Sequence, residues 1–252
     1  MKALIVYAHP EPRSFNGQLK DTIYETLAGQ GADVAISDLY ALGFNPVEAA
    51  EHFSDRKRSD VFDVQTEQRH AFERNITSPD VAEEIVKLED ADLVIFQFPI
   101  WWFSMPAILK GWLDRVFVYG LFTSKERYDA GHFRGKRAVV SVTAGGPEST
   151  FDHNGRNGDL DLILWPLHFT LHYMGYTVLP PFAAFGIAAA IRYDDGSADA
   201  ERLETYKAGL RRHLLSLENR PPLKFNGWKD WDETGRLRPE AASYSAFMRH
   251  TR

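Results

Sequence analysis

The sequence predicts an α/β protein: a doubly wound, five-stranded parallel sheet with helices on both faces. Two observations carry this. Apolar runs of strand length alternate five times with stretches of helical character. Runs such as KALIVY (2–7) and DLVIFQF (92–98) are also nearly continuous in apolar residues, as in strands covered on both sides. No internal repeat or low-complexity tract interrupts the pattern, and 252 residues suffice for one large core.

The elements follow in order. After KALIVY, SFNGQLKDTIYETLAGQG (14–31) reads as a helix that Ser14 or Asn16 can cap and Gly29 or Gly31 can end. ADVAISDLY (32–40) is the second strand. Residues 43–78 are polar and weakly patterned, and DRKRSD (55–60) within them reads as a solvated loop. SPDVAEEIVKLEDA (78–91) is a helix with Ser78 as cap, Pro79 in its first turn and Asp80 near its positive end. Its Glu83-Glu84 pair reads as a solvated face. DLVIFQF is the third strand, and Pro106 opens a helix over 106–118. KRAVVSVTA (136–144) is the fourth strand. GDLDLILWPLHFTLHYMGY (158–176) is largely helical, with Pro166 expected to kink or divide it. TVLPPFAAF (177–185) is the fifth strand, and DAERLETYKAGLRRHLLSL (199–217) is the last amphipathic helix. The domain is expected to span 1–218. The extension 219–252 lacks a clear period but keeps Trp228, Trp231, Tyr244 and Phe247, and is expected to pack on the surface or on a partner chain.

Composition narrows the function. A net charge of −6 argues against general attraction to nucleic acid or anionic membrane. The absence of cysteine excludes disulfides, thiolate catalysis and thiolate metal sites, so redox chemistry would need a borrowed cofactor. No run approaches the roughly 18 apolar residues of a membrane span, and the first residues lack the length of a signal peptide. A cytoplasmic protein is expected.

Ligands of open parallel sheets bind beyond the carboxyl ends of the strands. Three loops there carry unusual chemistry. AHPEPRSFN (8–16) opens a helix whose first N–H groups favour an anion, with His9, Arg13, Ser14 and Asn16 as further donors; Ser14 and Asn16 read equally well as plain helix caps. FPIWWFSMP (98–106) places three aromatic residues in a row, suited to a planar heterocycle or to a dimer seam. VTAGGPES (142–149) has a glycine pair whose N–H groups can approach a ligand, or that simply turns the chain. An anion end, a stacking surface and a hydrogen-bonding edge together complement a flavin nucleotide.

On ALIVYAHPEPRSFN, SDLYALGFNP, the 78–117 stretch containing FQFPIWWFSMPAILKGWLDRVF, YDAGHFRGKRAVVSVTAGG and NGDLDLILWPLHFTLHYMGY, the sequence resembles the NAD(P)H:quinone oxidoreductase family, from residue 3 to about 180. The resemblance implies a flavodoxin-like fold and a homodimer with flavin sites shared between subunits. It implies FAD rather than FMN, with NAD(P)H as co-substrate. His9, Ser14, Phe15 and Asn16, with Arg13 nearby, would hold phosphates. Pro99, Ile100, Trp102 and Phe103 would line the ring, with Trp101 facing the partner or packing beneath the loop. Thr143, Ala144, Gly145 and Gly146 would meet the ring's pyrimidine edge. Asp63 or Gln65 would reach toward a partner's cofactor.

The catalytic positions depart from the family pattern. Phe151 stands where well-known members have tyrosine, and Asn157 where they have histidine. Phenylalanine donates no proton, and asparagine donates a hydrogen bond without titrating. The Gly145 and Gly146 N–H groups, with Asn157 and neighbouring Arg156 or His153, are left to support charge on the reduced ring. His168 and His172 share a helix face, but two ligands without a third do not make a usual metal site, so no metal is expected. The expected function is flavin-dependent transfer of hydride from NAD(P)H to quinones or related small aromatic acceptors. The rival is a regulatory subunit of a membrane transporter such as a potassium efflux antiporter; a plain FMN electron carrier is a third reading.

Overall fold

The computed structural model describes residues 1–121, 126–187 and 198–250. Its strands are β1 (Lys2–Tyr7), β2 (Asp33–Asp38), β3 (Leu93–Pro99), β4 (Arg137–Thr143), β5 (Thr177–Val178) and β6 (Phe182–Ala184). Its α-helices are α1 (Phe15–Gly29), α2 (Val64–Glu73), α3 (Pro79–Asp90), α4 (Ala107–Val116), α5 (Leu160–Tyr173) and α6 (Ala198–Leu215). All pairing between these strands is parallel, in the order β2-β1-β3-β4-β5, with β6 also on β4.

Successive strand residues point to opposite faces, and both faces are apolar. Leu4, Val6, Val94, Phe96, Phe98, Val140 and Val142 meet α3, α4 and α5; Ala3, Ile5, Tyr7, Leu93, Ile95 and Val139 meet α1 and α6. Each large side chain so buried contributes about 1.5–3 kcal/mol. This is why the strand runs lack a polar alternation.

Local chemistry sets the ends. Ser14 caps α1, its Oγ accepting the Gly17 N–H at 3.2 Å, and Gly31 follows the helix at φ +77°. Ser78 occupies the cap position of α3 without capping; its hydroxyl lies 3.3 Å from Arg115, whose Nη1 donates to Asp80 at 2.7 Å. Pro166 does not divide α5. The helix runs unbroken through it, held by Leu164, Leu167 and Leu171 in the core. The fifth strand is split instead. Pro180 and Pro181 separate β5 from β6, having no N–H for a ladder. His213 of α6 braces this break, its Nε2 lying 3.1 Å from the Pro180 carbonyl and its ring against Phe182.

Two further readings of the sequence are corrected. The segment read as weakly patterned contains α2, capped by Asp63, which accepts the Thr66 N–H at 2.8 Å. Glu84, read as solvated, is buried and accepts from Trp112 Nε1 at 2.8 Å and Lys87 Nζ at 2.5 Å; Glu83 is exposed. The extension packs on its own chain. The Asn226 carbonyl meets His172 Nε2 at 3.0 Å, the Trp228 N–H donates to Asp129 at 2.9 Å, and Phe247 stacks on Trp165. Among the described residues no helix is long and apolar enough to cross a membrane.

Burial lowers His168 to about 4, and burial with the nearby Arg220 charge lowers His213 to about 4. In an unfolded chain both titrate near 6.5. Between those values the unfolded chain binds protons that the fold refuses. Stability is therefore fully present above about pH 6.5 and falls as the pH drops toward 4, by roughly 3 kcal/mol for His168 at full protonation and by less for His213, which solvent screens more. Thermal midpoints between pH 7.5 and 4.5 should show this fall, and His213→Gln should make it shallower.

Candidate active site

The register brings three strand ends level: Tyr7 beside Gln97 and Pro99 beside Thr143. The loops after β1, β3 and β4 therefore leave the sheet side by side.

In the first loop the predicted residues separate into two groups. Asn16 is only 4% exposed; its Nδ2 donates to Thr143 Oγ1 and its Oδ1 accepts from Gln97 Nε2, both at 2.9 Å. Phe15 is fully buried in the core, its ring near Tyr206, and Ser14 is occupied as the cap. These three side chains do not reach outward as phosphate donors. What the loop presents is the N-terminus of α1, with the backbone N–H groups of its first turn. His9 is half-buried beside it. Its Nδ1 lies 3.1 Å from both the main-chain N–H and the carbonyl oxygen of Glu11, so this edge of the ring is engaged by the loop in either tautomer. Burial lowers its pKa. Arg13 folds back on Glu11, Nε to Oε1 at 3.0 Å.

The aromatic loop is a two-residue hairpin turn. Trp101 and Ser104 exchange both backbone hydrogen bonds, at 2.9 and 3.0 Å, and the residues between them are left-handed, Trp102 at φ +51° and Phe103 at +58°. Turns of this type ordinarily carry Asn-Gly. For bulky residues the conformation costs roughly 1–2 kcal/mol each. Trp102 is 95% exposed and Phe103 57%. Trp101 turns the other way, its ring 5.9 Å from that of His9, so it joins the second loop to the first. Pro99 is buried, and Ile100 ties the loop to β4 through its N–H to the Thr143 carbonyl at 2.8 Å.

In the third loop Ala144 is buried and bonded to Ala184. Gly145 is exposed, and among the described residues neither Gly145 nor Gly146 gives its N–H to another group. Gly146 has no room for a side chain. A Cβ there would lie 2.8 Å from Asn157 Nδ2, 3.0 Å from Thr150 Oγ1 and 3.2 Å from Phe151. Phe151 and Asn157 are thus brought against the glycine pair. Asn157 Nδ2 donates to Thr150 Oγ1 at 2.8 Å, which leaves one amide proton, and Phe151 packs on Phe185. Arg156 is exposed, and His153 turns away to Asp159 at 2.6 Å. Among the described residues no group of three or more His, Asp or Glu side chains is placed to hold a metal ion; His168 is buried and His172 is bonded to the extension.

One candidate was not legible in the sequence. Gly186 bonds the Gly146 carbonyl at 2.8 Å, and a Cβ on Gly186 would lie 2.7 Å from Arg202 Nη1. This guanidinium at the rim of the third loop donates to Asp199 at 2.7 Å, and among the described residues its Nε has no partner. In sequence it is one of several charges on an amphipathic helix, 56 residues from the glycine pair.

A family model described as flavodoxin-like fold matches residues 1–210. Mouse ribosyldihydronicotinamide dehydrogenase (quinone) is 42% identical over 225 residues, spanning 88% of this chain and 94% of the relative. This chain belongs to the flavodoxin-like family that contains these quinone dehydrogenases. Within that family, guinea pig NAD(P)H dehydrogenase (quinone) 1 is 40% identical over 227 residues, 89% of this chain and 80% of the relative. The crystal structure of a Klebsiella pneumoniae protein assigned as a quinone reductase matches with TM-score 0.88 and 37% identity, over 98% of this chain and 97% of that one. A shorter match is the ancillary protein of a glutathione-regulated potassium-efflux system from Enterobacter, 39% identical over 105 residues, 41% of this chain and 57% of the relative.

The strained turn can be tested directly. Trp102 is too exposed for its removal to open a cavity, so Trp102→Gly should stabilise the protein by about 1 kcal/mol through relief of the left-handed conformation. The midpoint of denaturant unfolding reads this; a drop of the same size would mean that the ring supports the fold.

Proposed function

We propose that this protein is a flavin-dependent oxidoreductase that takes hydride from NAD(P)H and passes it to quinones or related small aromatic acceptors. The observation that carries the proposal is the strained, outward-held Trp102-Phe103 pair, set between a helix N-terminus and a glycine pair with unused N–H groups. A cost of that kind at exposed bulky residues persists where the conformation is used. The quinone dehydrogenases that the chain resembles over most of its length support the same reading.

The residues fit a flavin nucleotide, and FAD is the form proposed. The N-terminus of α1 and the Nε2 edge of His9 suit phosphate oxygens, and Arg202 adds a positive charge at the opposite rim. Trp102, Phe103 and Ile100 suit the flat ring. Gly145 and Gly146 suit its pyrimidine edge. When bound, such a group accepts hydride from NAD(P)H and yields it to the second substrate. The chain's own contribution is to position both substrates in turn over the aromatic turn and to meet negative charge at the ring edge. Fixed backbone dipoles at Gly145 and Gly146 do this without reorganising. The remaining amide proton of Asn157 adds a donor. Phe151 adds none, and it keeps water from that side of the loop.

The site is open in the single chain. A groove of about 650 Å³ lies between α2, α4 and α5, lined by Gln65, Met105, Phe117, Tyr119, Phe169 and Tyr173. A homodimer that covers this groove and the exposed rings is part of the proposal, as is a cytoplasmic location.

The deciding experiment is an anaerobic titration of the purified protein with NADPH, followed by visible absorption. Purification as a yellow protein whose flavin band bleaches stoichiometrically and fast is the expected result. A colourless protein that takes up neither FAD nor FMN would sink the proposal. The efflux-system relative and the absence of a hydroxyl at Phe151 favour a second reading, a regulatory flavoprotein. That reading gains if the protein is yellow, bleaches very slowly and sediments with membranes.

Asn157→Ala should slow flavin reduction about tenfold, less than the roughly hundredfold or more that loss of a principal donor to developing charge costs, because the Gly145 and Gly146 N–H groups remain. Stopped-flow reduction at saturating NADPH measures it. An unchanged rate would leave the backbone N–H groups as the sole donors.

A further inference from the structure

Strand β3, LVIFQFP, is apolar except for Gln97, which is fully buried. Its main-chain carbonyl accepts the Ala8 N–H at 3.0 Å, and its side-chain Nε2 donates to Asn16 Oδ1 at 2.9 Å. Ala8 and Asn16 are the two ends of the first loop. One residue therefore clamps that loop at both ends. The chain continues from Asn16 Nδ2 to Thr143 Oγ1 at 2.9 Å, and the Thr143 carbonyl accepts the Ile100 N–H at 2.8 Å. All three ligand loops hang from this one line of amides and hydroxyls.

Gln97 holds its place at a cost. Among the described residues its Oε1 has no hydrogen-bond partner, and the hydroxyl of its register partner Ser141 has none either. An apolar side chain at this depth would avoid that cost, so packing alone does not account for a glutamine.

Building on the flavin reading, we infer that Gln97 is a positioning residue for cofactor binding. It sets the spacing of the three loops through Asn16 and Thr143 and touches no ligand itself. Asn16 belongs to the same clamp and acts from behind the loop.

The test uses the purified apoprotein with FAD as probe. Gln97→Met conserves volume and removes both the donor and the unpartnered acceptor. It should weaken FAD binding about tenfold, read by fluorescence titration. Amide hydrogen exchange should rise in residues 8–16 and not across the sheet. Thr143→Val breaks the same line further along and should act similarly. The double variant should be no more than about twofold weaker than the worse single one, because both cut one chain of contacts. Ser141→Ala, at equal depth but outside the line, should bind FAD as the unaltered protein does. Equal FAD affinity in Gln97→Met, or a fully additive double variant, would overturn the inference while leaving the flavin reading intact. Failure of the unaltered protein to bind FAD or FMN would overturn the flavin reading instead. Exchange in residues 8–16 would then decide the clamp: a local rise supports it and no change refutes it. If Gln97→Met does not fold, Thr143→Val alone carries both measurements.

Discussion

The buried amide of Asn16 is the constraint on which the candidate site depends. A polar group at that depth must find partners, or the fold gives up roughly 1–3 kcal/mol for each one missing. Asn16 finds one on β3 and one on β4. Those two bonds fix where α1 begins relative to both strands. The rest of the loop follows from that position. Ser14 falls where it can cap the helix, and the chain crosses so close above Gly17 that a Cβ there would lie 1.9 Å from the Pro12 carbonyl oxygen. The helix N-terminus is then aimed past the strand ends with its first N–H groups available.

The same edge carries the clearest local strain. Two consecutive bulky residues in left-handed conformation would not persist in a free hairpin. They are held because Trp101 and Ser104 close the turn on both sides, Ile100 is bonded to β4, and Trp101 packs beside His9. The rigid sheet bears the cost of the aromatic turn. A turn built from Asn-Gly would be more stable and would present no rings. Stability and ring placement are therefore opposed at Trp102, which is why a gain in stability on its removal is a functional observation as well as a mechanical one.

Much of this was legible in the sequence, and what was not has a common cause. Continuous apolar runs give the parallel sheet because both of its faces are covered. Ser14 and Pro106 mark helix starts by local rules. The three loops are recognisable because strand ends and turn residues are local features. Apart from the prolines at 166, 180 and 181, whose effect the packing around them decides, the misreadings involve polar residues that turn inward. Helix α2 was missed because two of its three buried residues are Glu67 and Gln68, and Glu67 is spent on the Lys57 and Arg58 N–H groups at 2.7 and 3.0 Å. Glu84 reads as surface because its partner Trp112 lies 28 residues away. In sequence Asn16 reads equally as a helix cap or as a ligand contact, because a donor next to an anion site looks the same whether it faces out or in. Arg202 was invisible for the converse reason, since a charge on an amphipathic helix reads as solvated until the fold sets it against Gly186.

The departure at Phe151 and Asn157 is less severe in the structure than in the sequence. A titrating pair stabilises charge by moving a proton, and its effect depends on pH. Backbone dipoles and an amide do so by fixed orientation and act at any pH. Gly146 admits no side chain, so Phe151 and Asn157 press directly on the glycine loop and hold its N–H groups in place. Phe151, packed on Phe185 and bonded through its own N–H to the Glu148 carbonyl at 2.8 Å, gives up a hydroxyl and keeps the rigidity. A site that relies on orientation in this way has little use for a group that titrates near neutrality. Of the histidines near these loops, burial holds His9 below its ordinary pKa, and His153 turns away from the glycine pair to Asp159.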